Sequence, residues 1–266
     1  MPAGILGSVA AFLFAAQMVN VPLLGGTSGH LVGSTLAAVV LGPWRALLAI
    51  AAVLAVQALL FQDGGIVAYG ANLADMGVAG GFVGYAIARL VGSGVSGPRG
   101  IAAGAVLGAF LATLCGAVGV SLWLALSGLY PLDGILPMML VTHVAIGLLE
   151  AALTGAVLVT LLRFRPDLVS GLDGAGAAAR PAALVLGLSG AALAVAAFVA
   201  PFASALPDGL ETTAEALGFS SRARALWSPV ALIAPAAAGI IGTIAAGALA
   251  FAVGRTLSTP DHDAHR

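Results

Sequence analysis

Apolar residues run along this chain in long unbroken stretches, at about 5 to 24, 30 to 42, 44 to 61, 66 to 90, 99 to 127, 135 to 163, 181 to 201 and 230 to 254. Most come close to or exceed the roughly 20 helical residues that cross a bilayer. A membrane strand would instead show about ten residues of alternating character. The pattern predicts an all-α integral membrane protein, a polytopic helical bundle of seven or eight membrane segments. The 30 to 42 stretch is short for a crossing and ends at Gly42-Pro43. It is expected to form a half-helix or part of a broken one, and irregular backbone at that depth must line a cavity or be buried in protein.

Composition strengthens this reading. Of the 266 residues 61% are hydrophobic and 8% charged, whereas soluble domains are about 25% charged. Thirty-seven glycines suit helices whose backbones approach closely where lipid supplies no hydrophobic drive. The net charge of -1 and ten scattered arginines, with no lysine, exclude a nucleic-acid role. The single cysteine, Cys115, cannot form an internal disulfide and is expected to be a small buried hydrophobe. The N-terminus has neither a basic leader region nor a small-residue cleavage site, so its apolar stretch is expected to be a retained membrane segment.

Loops rich in arginine stay cytoplasmic. Arg45, Arg89, Arg99, Arg163, Arg165, Arg180 and Arg255 mark one side, and the turns holding Asp63 and Asp133 and the segment 202 to 229 mark the other. The first set is expected inside, in a cell (inner) membrane, with the N-terminus also inside. Arg222 and Arg224 depart from the rule within a longer external segment that also carries Asp208, Glu211 and Glu215. Residues 164 to 180 are rich in Gly and Ala and read as a cytoplasmic linker. They divide a membrane core, 1–163, from a two-helix appendage, 181–257, and a polar tail, 258–266, is expected to be disordered.

No P-loop, dinucleotide-binding glycine pattern or metalloprotease helix occurs. Attention therefore falls on polar groups in apolar surroundings, since a charge at mid-membrane costs about 2.5 to 3.5 kcal/mol on insertion scales. Four ionisable candidates stand out: His30, Asp75, His143 and Glu150. His30 ends the glycine-rich run Gly25-Gly26-Thr27-Ser28-Gly29-His30. Imidazole is the commonest ligand for nickel, cobalt, zinc and copper, and a helix-capping or hydrogen-bonded core histidine is the alternative. Asn72 and Asp75 share a helix face, as do Gln17 and Asn20. These four could line a cavity beside His30 and orient a ligand, or hydrogen-bond between helices. His143 and Glu150, two turns apart, could form a relay, contact a partner subunit, or each be tied to a neighbouring helix. No positioned nucleophile stands beside them, and an enzyme is not expected.

The stretch Phe14-Ala15-Ala16-Gln17-Met18-Val19-Asn20-Val21-Pro22, followed by Gly25 to Gly33, resembles the cobalt and nickel substrate-capture subunits of energy-coupling factor transporters, the CbiM/NikM type. Leu41-Gly42-Pro43-Trp44, Val56 to Gly65, Gly70-Ala71-Asn72, His143 to Glu150 and Arg165-Pro166-Asp167 continue the match over about 5 to 168. Pro207-Asp208-Gly209-Leu210-Glu211, followed by Gly218-Phe219 and a last helix, resembles the auxiliary subunit or fused domain named for that pentapeptide. The resemblance implies a subunit that binds Co²⁺ or Ni²⁺ without a permanent cofactor. Its partners would be a transmembrane coupling subunit and two cytoplasmic ATPase subunits, within membrane lipid. It implies that His30 is a metal ligand, with Gln17, Met18, Asn20, Ser28, Asn72 and Asp75 around the pocket, and that 202 to 229 covers or opens the metal entrance.

One departure bears on the ligand set. Family members begin Met-His-Ile-Pro, and that histidine's side chain, its backbone nitrogen and the terminal amine join the later histidine in a square-planar nitrogen site. Here the second residue is Pro2, and the chain starts where the family's second segment does. Either the start lies further upstream, or this is a shortened, non-transporting homologue that serves as a scaffold or partner-binding subunit. In the chain as given, His30 is expected to act with Asp75, Met18 or the terminal amine. Asp75 stands where the family carries an asparagine.

Overall fold

The computed structural model describes residues 3–95, 97–165, 181–222 and 234–258. The expected linker, from residue 166, and the expected tail, from residue 259, lie outside the described residues, as does Arg224. Nearly everything described is helical. Among the described residues, six helices are long and apolar enough to cross a membrane: Pro43–Phe61, Tyr69–Gly94, Arg99–Leu126, Leu132–Phe164, Ala182–Phe202 and Pro235–Leu257. A shorter apolar helix, Ala3–Gln17, joins them.

The count is therefore six spans and one short helix, against seven or eight segments expected. Two stretches account for the difference. The first helix, α1 (Ala3–Gln17), stops before Asn20, because the chain then turns into a hairpin of two short strands, β1 (Val21–Pro22) and β2 (Ser28–Gly29), paired antiparallel with Val21 opposite Gly29. The 30 to 42 stretch supplies only the eight-residue helix α2 (Ser34–Leu41). Its ends are fixed by backbone chemistry: Gly33 precedes it at φ 74°, Gly42 follows at φ 83°, and Pro43 opens α3 (Pro43–Val56) at a position needing no N–H donor.

Helix α3 runs on through a π turn, Gln57–Phe61. The next span begins as α4 (Tyr69–Asn72), widens into an 11-residue π segment, Leu73–Val83, and closes as α5 (Gly84–Gly94). Two long helices follow, α6 (Pro98–Leu126) and α7 (Leu132–Phe164). The remaining helices are α8 (Pro181–Ala194), extended by a π turn at Val195–Val199, then the short α9 (Gly209–Ala216), and α10 (Pro235–Ser258).

Helix α1 is buried on all sides, as an evenly apolar helix should be. One side meets α3, where the rings of Phe14 and Phe61 sit 5.4 Å apart. The other meets α8 and α10. A Cβ on Gly7 would lie 2.7 Å from the Gly247 carbonyl oxygen, and one on Gly242 would strike the Phe14 ring. Glycine at these crossings lets the backbones touch. Helices α8 and α10 are thus clasped onto α1, with α10 also reaching Phe61 at the end of the α3 span, and α9 is seated separately on the outer part of α7, where Ala214 and Phe219 pack with Ile135 and Met139.

Antiparallel packing gathers the arginine-bearing helix ends together. Gly104 of α6 abuts Ala88 of α5, Gly155 of α7 abuts Val106 of α6, and Gly254 of α10 abuts Ala3 of α1. Arg45, Arg89, Arg99, Arg163 and Arg255 therefore lie toward one end of the bundle, the end that the positive-inside rule expects on the cytoplasmic side. The hairpin, the 62–68 loop and α9 lie toward the other. Cys115 is exposed rather than buried, because it faces outward from α6.

Candidate metal cavity

A cavity of about 200 Å³ lies between the hairpin, the π segment, α6, α7 and the start of α9. His30, Asn72, Asp75, His143, Glu150 and Asp208 all line it. Residues 178 positions apart in sequence converge here, and the bonds that bring them together are mostly to backbone.

The loop carrying His30 is clamped from two sides. Glu150, 3% exposed, accepts the Val32 N–H at 2.7 Å through Oε2 and the Gly33 N–H at 2.8 Å through Oε1. Gln17 Nε2 donates to the Val32 carbonyl at 2.9 Å, while Gln17 Oε1 accepts from Gln57 Nε2 at 2.8 Å. Gly33 stands in the left-handed conformation that favours glycine, and Leu13 fills the space where a side chain would go. Glu150 thus serves the backbone of the His30 loop, not a neighbouring helix. Against that rigid support, Nδ1 of His30 is buried and has no hydrogen-bond partner.

The pentapeptide closes the cavity. Ser28 donates its N–H to the Pro207 carbonyl at 2.8 Å and its hydroxyl to the Leu206 carbonyl at 2.7 Å. Thr27 adds a hydroxyl bond to Pro207 at 3.2 Å. Asp208 then caps α9: its Oδ1 accepts from the Glu211 N–H at 2.8 Å, and Glu211 Oε2 accepts from the Asp208 N–H at 3.1 Å, a reciprocal capping box. Gly209 presses on α7, for a Cβ there would come within 2.7 Å of Ile146 Cδ1 and 2.8 Å of His143 Cε1. Asp208, Gly209 and Leu210 line the cavity, whereas Pro207 and Glu211 hold the segment in place.

His143 is oriented by its Nδ1, 2.8 Å from the Met139 carbonyl and 3.1 Å from the Thr142 hydroxyl. Asp208 interacts with it electrostatically. A carboxylate that the sequence reading did not single out, Asp63 on the 62–68 loop, interacts with both His30 and Asp208. Its side chain reaches solvent, yet the protein packed around it desolvates the carboxyl and raises it above the ordinary value of 3.8; His30 opposes the rise, Asp208 adds to it, and the Gly64 N–H opposes it.

The structure corrects three expectations. Gln17 and Asn20 do not share a helix face, because α1 ends at Gln17 and Asn20 falls in the turn beyond; neither lines the cavity. Met18 points instead toward α10, where its sulfur lies against Gly239, so it is no companion of His30. Asn72 and Asp75 do meet in the cavity wall, although the turn between them is of π and not α type. Sequence reasoning missed Ser34, whose hydroxyl lines the cavity without a partner, and Trp123, whose Nε1 donates to Asp75 Oδ1 at 3.3 Å. A serine at the start of a broken helix was the available signal for the first; the second had none. Among the described residues, no three His, Cys, Asp or Glu side chains converge on one point.

Comparison with known proteins agrees with this architecture. A family model, CbiM, described as the cobalt uptake substrate-specific transmembrane region, matches residues 3–168. A putative fused nickel transport protein, NikMN, of Archaeoglobus fulgidus is 36% identical over 265 residues, spanning 96% of this chain and 87% of the relative. A cobalt transport protein, CbiM, of Sorangium cellulosum is 35% identical over 63% of this chain and 76% of its own. The crystal structure of a truncated transition metal transporter superposes with a TM-score of 0.50 at 38% identity, covering 60% of this chain and 79% of that one.

Proposed function

Because this chain belongs to the family of cobalt uptake substrate-specific transmembrane proteins, we propose that it captures Co²⁺ or Ni²⁺ from the outer side of the membrane for an energy-coupling factor transporter. In this reading a transmembrane coupling subunit grips the bundle and two cytoplasmic ATPase subunits power it, since the sequence carries no nucleotide-binding loop of its own. The observation that carries the proposal is the unpartnered, buried ring nitrogen of His30, held on a loop that Glu150 and Gln17 immobilise. A buried polar atom without a partner costs about 1–3 kcal/mol, and a transition-metal ion supplies the missing partner.

The capping segment fits the same reading. It hangs from Ser28 and Thr27, next to the metal-facing histidine, so its release opens the cavity beside His30.

Equilibrium binding of radiolabelled Co²⁺ and Ni²⁺ to the full chain in lipid nanodiscs tests the proposal. Wild type is expected to bind and His30→Ala to lose most of that binding. Retention of wild-type affinity by His30→Ala would remove the basis of the assignment. Metal accumulation by cells that co-express the chain with the coupling and ATPase subunits, and its loss without the ATPases, checks the partners.

A further inference from the structure

Asp63 stands over the cavity without lining it. Its backbone is fixed where the α3 span ends: Gln62 turns left-handed at φ 59°, alone among the described non-glycine residues, and the Asp63 N–H donates to the Gln57 carbonyl at 3.2 Å. Strained backbone of this kind clusters at functional sites. Gly64 rests on the cavity wall, where a side chain would collide with the Asn72 amide. The same Gln57 reaches the His30 loop, since its side chain donates to Gln17 and Gln17 donates to the Val32 carbonyl. One buried glutamine therefore holds the Asp63 loop and the His30 loop in register.

The groups around Asp63 suit an incoming cation. Asp63 is exposed and interacts electrostatically with two residues of the cavity lining, His30 and Asp208. No arginine lines the cavity. Inside, Ser34 is 1% and Asp75 8% exposed, and Ser34 Oγ, Asp75 Oδ2 and His30 Nδ1 are buried without partners. Unpaired polar atoms at a cavity wall suit a polar or charged guest.

We propose that Asp63, with Asp208, steers divalent cations into the cavity, setting the rate of capture at its mouth without being a ligand of the captured ion. The inference rests on the metal-capture reading above and adds its entry step. Steering needs no convergence of donor atoms, because a carboxylate acts on a dication through water over about 10 Å at 0.1 M salt and about 30 Å at 0.01 M. A hydrated ion must shed water before it binds, so the capture rate is the occupancy of the encounter complex multiplied by the rate of water loss. A charge at the mouth raises the first factor and leaves the second alone.

Stopped-flow binding of Co²⁺ to the full chain in zwitterionic nanodiscs at neutral pH, read by quenching of tryptophan fluorescence, tests this with Asp63→Asn, Asp63→Glu and Asp208→Asn. The last removes a charge but keeps an acceptor for the cap of α9. At about 0.01 M salt, Asp63→Asn is expected to lower the association rate about three- to tenfold, with dissociation within about twofold of wild type. Asp63→Glu should restore the rate, and at about 0.5 M salt the difference should vanish. A merely structural role would produce neither the rescue nor the salt dependence. If wild type binds Co²⁺ and Asp63→Asn associates as fast in low salt, or is slowed equally at both salts, steering is wrong and the capture reading stands. Faster dissociation with unchanged association overturns it as well. If wild type binds no Co²⁺, both fall. Should Asp63→Asn fail to fold, Asp208→Asn decides by the same criteria.

Discussion

Replacing Glu150 by glutamine probes the support beneath His30. The two carboxylate oxygens accept the N–H groups of Val32 and Gly33 at 2.7 and 2.8 Å. Glutamine keeps one acceptor and sets an NH₂ donor against the other N–H. The lost bond is worth about 1–3 kcal/mol, from a neutral to a charged acceptor, and the stranded N–H costs about 1–3 kcal/mol. The two effects overlap, so a total near 2–4 kcal/mol is expected. At about 1.4 kcal/mol per factor of ten, the His30 loop should open roughly 30-fold to several hundredfold more often. Hydrogen exchange by mass spectrometry on the peptide spanning 28–36 reads this directly, because fast reclosure makes exchange report the open fraction. Protection in Glu150→Gln within about threefold of wild type would refute the clamp.

The cap should respond to crowding. Gly209→Ala places a methyl against Ile146 and His143, and overpacking of this kind costs about 1–3 kcal/mol, so exchange in 204–216, and at the Ser28 N–H that bonds Pro207, should rise about tenfold with little change in 30–36. A cap as protected as wild type would show that Gly209 is not the contact. Asp63 sets a pH dependence. Its carboxyl is raised on folding, so the folded chain binds that proton more tightly and stability falls as pH climbs from the unfolded toward the folded value. Asp63→Asn should flatten that part of a melting-temperature profile; an unaltered slope would count against the desolvation.

Where the bilayer dictates length, sequence was sufficient: the runs at 44 to 61, 66 to 90, 99 to 127 and 135 to 163 each became a span. Gly42-Pro43 likewise announced the end of the short helix, because proline suits a first turn and glycine the conformation before it. The first segment misled because its hydropathy continues past Gln17, while Pro22 and the strand pairing of Val21 with Gly29 end the helix. Hydropathy cannot register a hairpin whose residues are themselves apolar. The cavity was half legible. His30, Asp75, His143 and Glu150 announced themselves as polar groups in oily surroundings, and all four line it. Their partners stayed hidden, since Glu150 binds two main-chain N–H groups 117 and 118 residues away and Ser28 a carbonyl 178 residues away. Backbone atoms are the same in every residue and leave no trace in a sequence.

The wide turns of Leu73–Val83 set the phase between two halves of one span. Each i→i+5 closure accommodates one residue more than an α turn does, and one residue is about 100° of rotation on an α-helix. Shortening that segment by a single position, with α5 still locked to α6 through Gly84 and Gly108, would swing Asn72 and Asp75 around the axis and out of the wall. The polar lining of the cavity is thus written in the length of a stretch whose own side chains are almost all apolar.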